Sequence, residues 1–295
     1  MPINYITKDG NIYDQALTQG LITADLETAG VELVAGGKSF TLTTISTSGY
    51  KAHTRTKGFN AGTVENTKKV YTMSQDRDIE FFVDSMDVEE TNQDLAAARI
   101  SSVFIEENAR PEVDAYRFGT LATKAKANGA FASEALTAAN VFSKMKAALL
   151  PVRKYGVQNI IIYVSSTTMD LLERSTEFTR SITNQNVGQT ALESRITSLD
   201  GVLIKEVWDA ARFYTSHDFT DGFAPAVGSF AINFLVVVKT AQISVAKHNA
   251  IYLFAPGEHT EGDGYLYQNR LYHDTFLKES QKDGVYVSHG TVAVV

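Results

Sequence analysis

The first clear alternation of apolar and polar residues lies between residues 40 and 83. Residues 40–45 and 70–73 are rich in β-branched and aromatic side chains, which favour strands. Between them three glycines stand among polar residues, and Ile79, Phe81 and Val83 then alternate as a return strand. The pattern predicts a long β-hairpin with a polar tip. A tip of about 25 residues without a core of its own is unusual inside a compact domain.

Helical spacing follows the hairpin. Apolar residues fall on one side of a helix from Ala96 to Phe104, and a second stripe runs from Phe118 to Ala125. Asp87 is a candidate N-terminal cap, and Asn128-Gly129 marks the end. Pro111 predicts a break between the two stripes, because proline lacks the N–H of a helix interior. We expect a long helical rod that is broken or kinked once.

In the middle and at the end of the chain, the sequence pattern predicts helices that alternate with strands. The continuous apolar runs at 159–164 and 231–238 predict strands buried on both faces. Helices are expected at 138–149 and 166–173, a tight turn at Asp200-Gly201, and strands again near 265–271 and 285–287. Weaker sequence patterns predict a short helix at 13–21 and a polar loop at 175–188.

Composition narrows the class of protein. The 295 residues are 44% hydrophobic and 21% charged, which is typical of a globular chain, and the absence of cysteine excludes disulfides and cysteine-ligated metals. The net charge of −7 disfavours a dedicated nucleic-acid binder. The start shows no export signal, and the longest apolar run is too short to cross a bilayer. The sequence thus predicts a soluble chain made in a cytoplasm.

Candidate catalytic motifs are weak. The run Gly36-Gly37-Lys38-Ser39 imitates a phosphate-binding loop but lacks its first glycine, with Glu32 in that place. The six histidines never pair at helical i, i+4 spacing, and the acidic loop from Glu258 to Asp263 lacks calcium-loop spacing. His273 and Asp274 are neighbours in a strand and therefore point to opposite faces. We expect no enzyme, no cofactor and no metal, although a nucleophile and base could still meet from distant positions.

Charge is divided sharply between two adjacent segments. Residues 45–75 carry five cations and one acid, whereas residues 76–114 carry twelve acids and three arginines. A basic finger beside an acidic rod favours pairing of the two. Because a hairpin that leaves the body carries its tip away from the rod of its own chain, the pairing is expected between subunits. The alternative is two solvated faces of opposite sign, since surface ion pairs are individually weak.

Several runs of residues together resemble the major capsid proteins of tailed double-stranded DNA bacteriophages. They span about residue 40 to the end, and none is a catalytic signature. The runs are Arg77 with residues 84–92, residues 111–117, Gly201-Val202 with Val207 and Arg212-Phe213, and residues 270–274 with 284–286.

The resemblance implies an α+β fold with a defined division of the chain. The family has an N-terminal arm, an extended loop, a peripheral domain with a long spine helix, and an axial domain. Mapped onto this sequence, these are the arm at 1–39, the loop at 40–83, the peripheral domain at 84–129 and 246–295, and the axial α/β domain at 130–245.

The resemblance also implies where the hairpin goes. In such shells the extended loop lies over the peripheral domain of the adjacent subunit. We therefore expect basic residues of the hairpin to pair with acids of a neighbour's rod. The basic set is Lys51, Arg55, Lys57, Lys68 and Lys69, and the acidic set is Glu89, Glu90, Asp94, Glu106 and Glu107. Some members join subunits by a Lys–Asn bond, but no partner could be matched to Lys68 or Lys69, and non-covalent contact is favoured.

The expected function is structural: hexamers and pentamers that tile an icosahedral shell around phage DNA, assembled in the host cytoplasm and present in the virion. The implied partners are further copies, a portal protein, a separate scaffolding protein and decoration proteins. Packaged DNA would be enclosed without specific binding, and no membrane is involved. The alternatives are an encapsulin-type compartment shell, in which cargo enzymes replace the DNA, and a cytoplasmic α/β enzyme.

Overall fold

A computed structural model describes residues 19–28, 38–53, 55, 58–90, 97–175 and 197–294. The predicted helix at 13–21 lies outside these ranges up to residue 18, and the predicted loop at 175–188 lies outside them from residue 176. The strands are β1 (Ser39–Thr47), β2 (Val64–Thr72), β3 (Gln75–Asp84), β4 (Phe131–Ser133), β5 (Ile160–Ser165), β6 (Ser198–Leu199), β7 (Val202–Val207), β8 (His217–Asp218), β9 (Ala224–Pro225), β10 (Phe230–Val238), β11 (Gln242–Phe254), β12 (Gly264–Leu277) and β13 (Val285–Ala293). The α-helices are α1 (Ser85–Glu90), α2 (Ala97–Phe104), α3 (Arg110–Ala127), α4 (Val141–Leu149) and α5 (Ser166–Glu173).

The largest core surrounds a six-stranded mixed sheet of order β4-β13-β10-β5-β7-β6. β5 is buried over Ile160–Val164, and β10 is buried from Phe234 to Val238, as the continuous apolar runs predict. Helices α4 and α5 contact β10, and α3 contacts β13. Ser165 accepts a hydrogen bond from the Thr168 N–H at 3.3 Å and so caps α5, which forms at the predicted residues 166–173.

The turn between β6 and β7 is the one predicted from Asp200-Gly201. Both residues have positive φ, 50° and 80°, as a two-residue hairpin turn requires. The Asp200 carboxylate also forms salt bridges with Arg153 and with Lys146, the second at 3.4 Å. The tight turn therefore forms where the sequence predicts it.

The second sheet has three antiparallel strands in the order β11-β12-β3. The prediction that Ile79, Phe81 and Val83 form the return strand of the hairpin is wrong. These residues lie in β3, which pairs with β12 from Gly264↔Asp84 to His273↔Gln75. The hairpin consists of β1 and β2 alone, in unbroken register from Ser39↔Thr72 to Thr47↔Val64. Alternation identified a strand at β3 but could not identify its partner, which lies far away in the sequence.

Two features of the strands bear on where the predicted axial and peripheral domains meet. β11 runs without interruption across residues 245 and 246, where the axial and peripheral domains were to meet. β13 lies between β4 and β10 in the six-stranded sheet, so residues 285–293 do not share the sheet of β11 and β12. The last strand of the chain therefore returns to the larger core.

The predicted helical rod is continuous from Ala97 to Ala127. The expected break before Pro111 is instead a π-helical turn at Ile105–Ala109 that joins α2 directly to α3. A wider turn relieves the clash between the proline ring and the preceding carbonyl without ending the helix. Phe104 packs edge-on against Phe81 at 5.5 Å and Tyr267 at 6.3 Å, which fixes the helix on the three-stranded sheet.

Candidate subunit-contact surface

Among the described residues, the contacts that anchor the hairpin to the body lie near its base. Phe40 and Tyr71 are buried with Ile243 and Val245 of β11. Phe40 stacks on Tyr71 with ring centroids 5.5 Å apart, and both rings meet the Phe276 ring edge-on. This small aromatic cluster holds the direction in which the hairpin leaves the body.

Beyond this base every described residue from 43 to 70 is exposed. Tyr50 and Phe59 near the tip are fully exposed, with relative accessibilities of 110% and 101%. Ile45, Val64 and Val70 along the strands are also exposed. A surface rich in exposed large apolar side chains is typical of an interaction site. The structure thus agrees with the expectation that the hairpin does not pack on its own body.

The basic residues of the hairpin differ in their local partners. Lys51 donates to the Ala61 carbonyl oxygen at 2.7 Å across the tip, while Arg55 and Lys68 are exposed. Lys69 pairs with Glu279 of its own chain, and that hydrogen bond raises the pKa of Lys69. Lys57 lies outside the described residues. Lys51, Arg55 and Lys68 therefore remain the described cations that could reach another subunit.

The acids expected opposite them are only partly described. Glu106 lies 3.8 Å from Arg110 on the same helix. Glu89 and Glu90 belong to the last turn of α1, and Asp94 falls outside the described residues. The pairing of these acids, and of Glu107, with a neighbour's hairpin stays a prediction.

A buried charge cluster at α3 was missed in the sequence. Asp114 is fully buried and accepts hydrogen bonds from the N–H groups of Ile22 and Thr23, both at 3.0 Å, and from the Thr23 hydroxyl at 2.6 Å. Arg212, also buried, lies 3.3 Å from the same carboxylate. Burial raises the pKa of Asp114, and the four donors act against that effect.

Two arginines extend the cluster to the chain segment 19–28. Arg212 donates to the Gln19 carbonyl oxygen at 2.8 Å and to Asp209 at 3.0 Å. Arg117 donates to the Thr23 carbonyl oxygen at 3.0 Å and lies 3.3 Å from Glu27. The cluster therefore joins the N-terminal segment, the long helix and the turn after β7 through buried charged hydrogen bonds.

Helical spacing is the signal that could have located this cluster. Asp114 lies four residues before Phe118, and Arg117 lies four residues before Leu121, so both share the buried stripe of α3. Charge counting alone places Asp114 with the other acids of residues 76–114. A charged residue on the apolar face of a predicted helix indicates a side chain that is buried and paired with a partner.

A groove lies between the long helix and the three-stranded sheet, and is called here the helix–sheet groove. It has a volume of about 580 Å³. Apolar side chains from both elements line it: Ile79, Phe81, Phe104, Val113, Ile251 and Leu271. His273 lies at its inner wall, buried and packed edge-on against Tyr116 at 5.2 Å. The Tyr116 hydroxyl donates to Asp274 at 2.8 Å, and that contact ties α3 to β12.

We expect acid to destabilise the chain through His273. Burial, with Arg117 and Arg77 nearby, lowers the pKa of His273 to about 4 in the folded chain. Since the unfolded pKa is about 6.5, folding requires the neutral ring, and stability is lost as the pH falls from about 6.5 to about 4. The shift of pKa from 6.5 to about 4 corresponds to about 3 kcal/mol. Urea unfolding of the wild type and of His273→Gln at pH 7, 5.5 and 4.5 measures how the free energy of unfolding of each depends on pH.

In that series the variant should lose less stability than the wild type on acidification. His53, exposed on the hairpin, supplies the matched control, because His53→Gln should leave the acid sensitivity of the wild type unchanged. Equal acid sensitivity of wild type and His273→Gln would contradict the assignment.

The other candidate motifs have ordinary structural places. Ser39 begins a strand, whereas the Lys-Ser of a phosphate-binding loop begins a helix. The acidic loop is an ordinary turn, in which His259 contacts the Gly264 carbonyl oxygen at 2.8 Å and Glu258 accepts from the Ala255 N–H at 2.9 Å. Among the described residues, no three His, Asp or Glu side chains are grouped closely enough to hold a metal ion.

The helices that the structure describes include none with the length and apolar character needed to span a membrane.

Of the three comparisons made with known proteins, the one with solved structures finds matches. No family model and no curated protein matches the sequence. Among solved structures, the bacteriophage PhiM1 mature capsid aligns with a TM-score of 0.71 at 15% identity, over 99% of this chain and 93% of that chain. The capsid of cyanophage P-SCSP1u gives 0.70 at 13% identity, over 97% and 93%. A chain of Mycobacterium phage Che8 gives 0.61 at 14% identity, over 97% of both chains.

These alignments run nearly end to end through both sheets, the long helix and the hairpin. They confirm, for the fold, the resemblance on which the sequence expectations depend. This mixed α/β chain has the fold of bacteriophage capsid proteins.

Proposed function

We propose that the chain is a structural shell subunit, many copies of which assemble as hexamers and pentamers into an icosahedral capsid around phage double-stranded DNA. One observation carries the proposal. In a chain with a phage capsid fold, every described residue of a long hairpin is exposed beyond the base, including two unpacked aromatic rings. Such a hairpin has its function in contact with another copy. A shell distributes that contact over repeated, symmetric interfaces.

The proposed division of the chain follows the sheets. Residues 1–39 would form the arm, and β1 and β2 the extended loop. The long helix with β3, β11 and β12 would form the peripheral domain, with the helix as its spine. The six-stranded sheet with α4 and α5 would form the axial domain, to which β13 is added because it pairs with β10.

The proposed partners are those that a capsid of this kind requires. They are further copies of the chain, a portal protein, a separate scaffolding protein and decoration proteins, with assembly in the host cytoplasm and residence in the virion. The net charge of −7 suits a wall that encloses a polyanion without binding it tightly. An encapsulin-type shell would differ in its contents, which would be cargo enzyme instead of DNA.

The charge of the hairpin supplies the test of this proposal. Reversing Lys51, Arg55 and Lys68 to Glu in one variant should reduce shell yield at least tenfold at low salt, because the basic tip would then repel an acidic neighbour. Negative-stain microscopy and sedimentation of the purified chain measure the yield.

A variant with Gln at the same three positions is the matched control, and it should give an intermediate yield. In 1 M salt, where the screening length is about 3 Å, the difference between the variants should shrink. Wild-type yield and salt tolerance in the reversed variant would count against the charge pairing. A wild-type chain that stays monomeric, with catalytic turnover on a phosphate or ester substrate, would contradict the structural role itself.

A further inference from the structure

Positive charge is concentrated around the short 3-10 segment Glu279–Gly284, although the chain as a whole carries a net charge of −7. This segment contacts the end of α3, the 3-10 segment Leu150–Tyr155 and β10. Six lysines on these elements and beside them form a surface that is called here the basic patch, and each is exposed or half-buried. They are Lys69, Lys124, Lys154, Lys239, Lys278 and Lys282.

Two acids lie on the segment Glu279–Gly284 itself, and each already has a lysine partner. Glu279 forms a salt bridge with Lys69, and Asp283 forms one with Lys154. The hydrogen bonds from these lysines hold the pKa of both carboxyl groups below their usual range, so both acids stay charged at neutral pH. Two lysines therefore offset the two acids, and four lysines of the basic patch remain in excess.

Two of the four lysines in excess lie where the long helix ends. Lys124 precedes Asn128 by about one helical turn, and the Asn128 amide donates to the Lys282 carbonyl oxygen at 3.3 Å. The charges of both lysines act on the Glu279 carboxyl group, which lies between them and Lys69 in the electrostatic sense. The negative end of the helix dipole favours Lys124 in the last turn of α3, but it does not account for Lys282, which lies outside that helix.

The other two lysines in excess lie at the turn that joins β10 to β11. The Lys278 ammonium group donates to the Thr240 carbonyl oxygen at 2.7 Å, and Thr240 directly follows Lys239. The backbone here is fixed, because the Lys278 N–H donates to the Ala241 carbonyl oxygen at 2.8 Å and the Lys239 N–H donates to the Asn159 carbonyl oxygen at 2.7 Å. The basic patch is therefore carried by the rigid body of the chain.

The surroundings of these four lysines favour phosphate over a protein partner. Among the described residues 124–129, 239–241 and 278–284, no large apolar side chain is exposed, whereas protein interfaces depend on aromatic and apolar anchors. Lysine carries a compact charge on a flexible stem and pairs with phosphate without a fixed geometry. Contacts of this kind position a nucleic acid without reading its bases.

We propose that the basic patch contacts the phosphate groups of the packaged double-stranded DNA, without recognition of its base sequence. This inference rests on the proposed shell function, which supplies the DNA, and deepens it by placing the basic patch on the inner face of the wall. Four lysines neutralise at most a few phosphates for each subunit, so the contact is weak and sensitive to salt. Such a contact agrees with a wall whose net charge of −7 does not hold the polyanion tightly.

The contact is tested first on unassembled subunits. Fluorescence anisotropy of a labelled duplex of about 20 base pairs measures binding at a protein concentration below that at which shells form. The cations of the hairpin would attract DNA as well, because phosphate responds to any accessible lysine or arginine. The starting chain for this experiment therefore carries Lys51→Gln, Arg55→Gln and Lys68→Gln.

Removing three lysines of the basic patch from this starting chain should weaken the binding of the duplex. Lys124→Gln, Lys239→Gln and Lys282→Gln together should lower the affinity at least tenfold at about 50 mM salt. They should also reduce the slope of log K against the logarithm of the salt concentration by about 3, because each lysine that meets a phosphate contributes about 1 to that slope.

Arg110→Gln, Arg174→Gln and Arg270→Gln in the same starting chain form the matched control, since they change the net charge equally. Each of these arginines is exposed and takes part in a salt bridge away from the basic patch. The control should lower the affinity less than threefold and leave the salt slope unchanged. Equal losses from the two triple variants would overturn the proposal, because DNA would then respond to net charge alone.

Closed shells of the wild-type chain show on which face the basic patch lies. They should not bind a duplex of about 500 base pairs that is added from outside through the basic patch, because the wall excludes it, whereas subunits dissociated from the same shells should bind it. Binding by closed shells that is lost with the three lysine substitutions would put the basic patch on the outer face and overturn its placement.

Two further outcomes separate this inference from the proposed function. A reduced shell yield from the three lysine substitutions, with the affinity for DNA unchanged, would assign the basic patch to an acidic surface of another copy and overturn the inference. If the wild type forms no shells, the shell function fails, while the anisotropy comparison still decides whether the basic patch binds phosphate.

Discussion

Replacing Asp114 by Ala should destabilise the folded chain by about 3–5 kcal/mol, because it removes one partner from a buried group of charges. The variant leaves the N–H groups of Ile22 and Thr23 without their carboxylate acceptor, and it removes the buried carboxylate beside Arg212, which keeps the partly exposed Asp209 and the Gln19 carbonyl oxygen. A buried donor without a partner costs more than the hydrogen bond was worth. Urea unfolding at pH 7, followed by circular dichroism, measures the loss.

Asp209→Ala is the matched control for that experiment. Asp209 contacts the same arginine at 3.0 Å, but its side chain is partly exposed, and Arg212 keeps Asp114 when Asp209 is removed. We therefore expect a loss of only about 1 kcal/mol, from the weak ion pair and the bond to the Ala211 N–H. Equal losses from the two substitutions would show that Asp114 does not organise the cluster.

Local signals in the sequence were sufficient for the larger core. The apolar runs that became β5 and β10 could be recognised because both faces of these strands are covered. The positive φ values at Asp200 and Gly201 and the cap at Ser165 depend on neighbouring residues only. Such features can be read from a short window of sequence.

The pairing partner of a strand and the burial of a charged side chain could not be predicted from a short window of sequence. β3 alternates as a hairpin strand would, but its pairing with β12 is decided by packing between segments nearly two hundred residues apart. The π turn before Pro111 replaces a break because the helix is held on both sides by tertiary contacts. Asp114 and Arg117 carry charges that composition assigns to the surface, and only their place on the helix stripe indicates burial.

The hairpin is the feature for which sequence and structure agree most usefully. Its few apolar residues predicted that it would not pack on its own body, and the described residues beyond its base are all exposed. The sequence emphasised its cations. The structure adds two exposed aromatic rings and shows that Lys69 is already paired with Glu279 within the chain.

Removing the hairpin tip should abolish assembly while leaving the fold intact. Because Thr47 pairs with Val64, residues 48–63 can be replaced by Asn-Gly, which favours a two-residue hairpin turn. The deleted residues that the structure describes are exposed, so the free energy of unfolding should change by no more than about 0.5 kcal/mol. Assembly should fail because Tyr50, Phe59, Lys51 and Arg55 are lost together.

The most direct measurement compares the wild-type chain and this tip deletion by negative-stain microscopy, with urea unfolding of both as the check of folding. The account predicts closed shells from the wild type and only dispersed, fully folded subunits from the deletion. Closed shells formed by the deletion in wild-type yield would contradict it, since the hairpin tip would then have no part in joining one copy to the next.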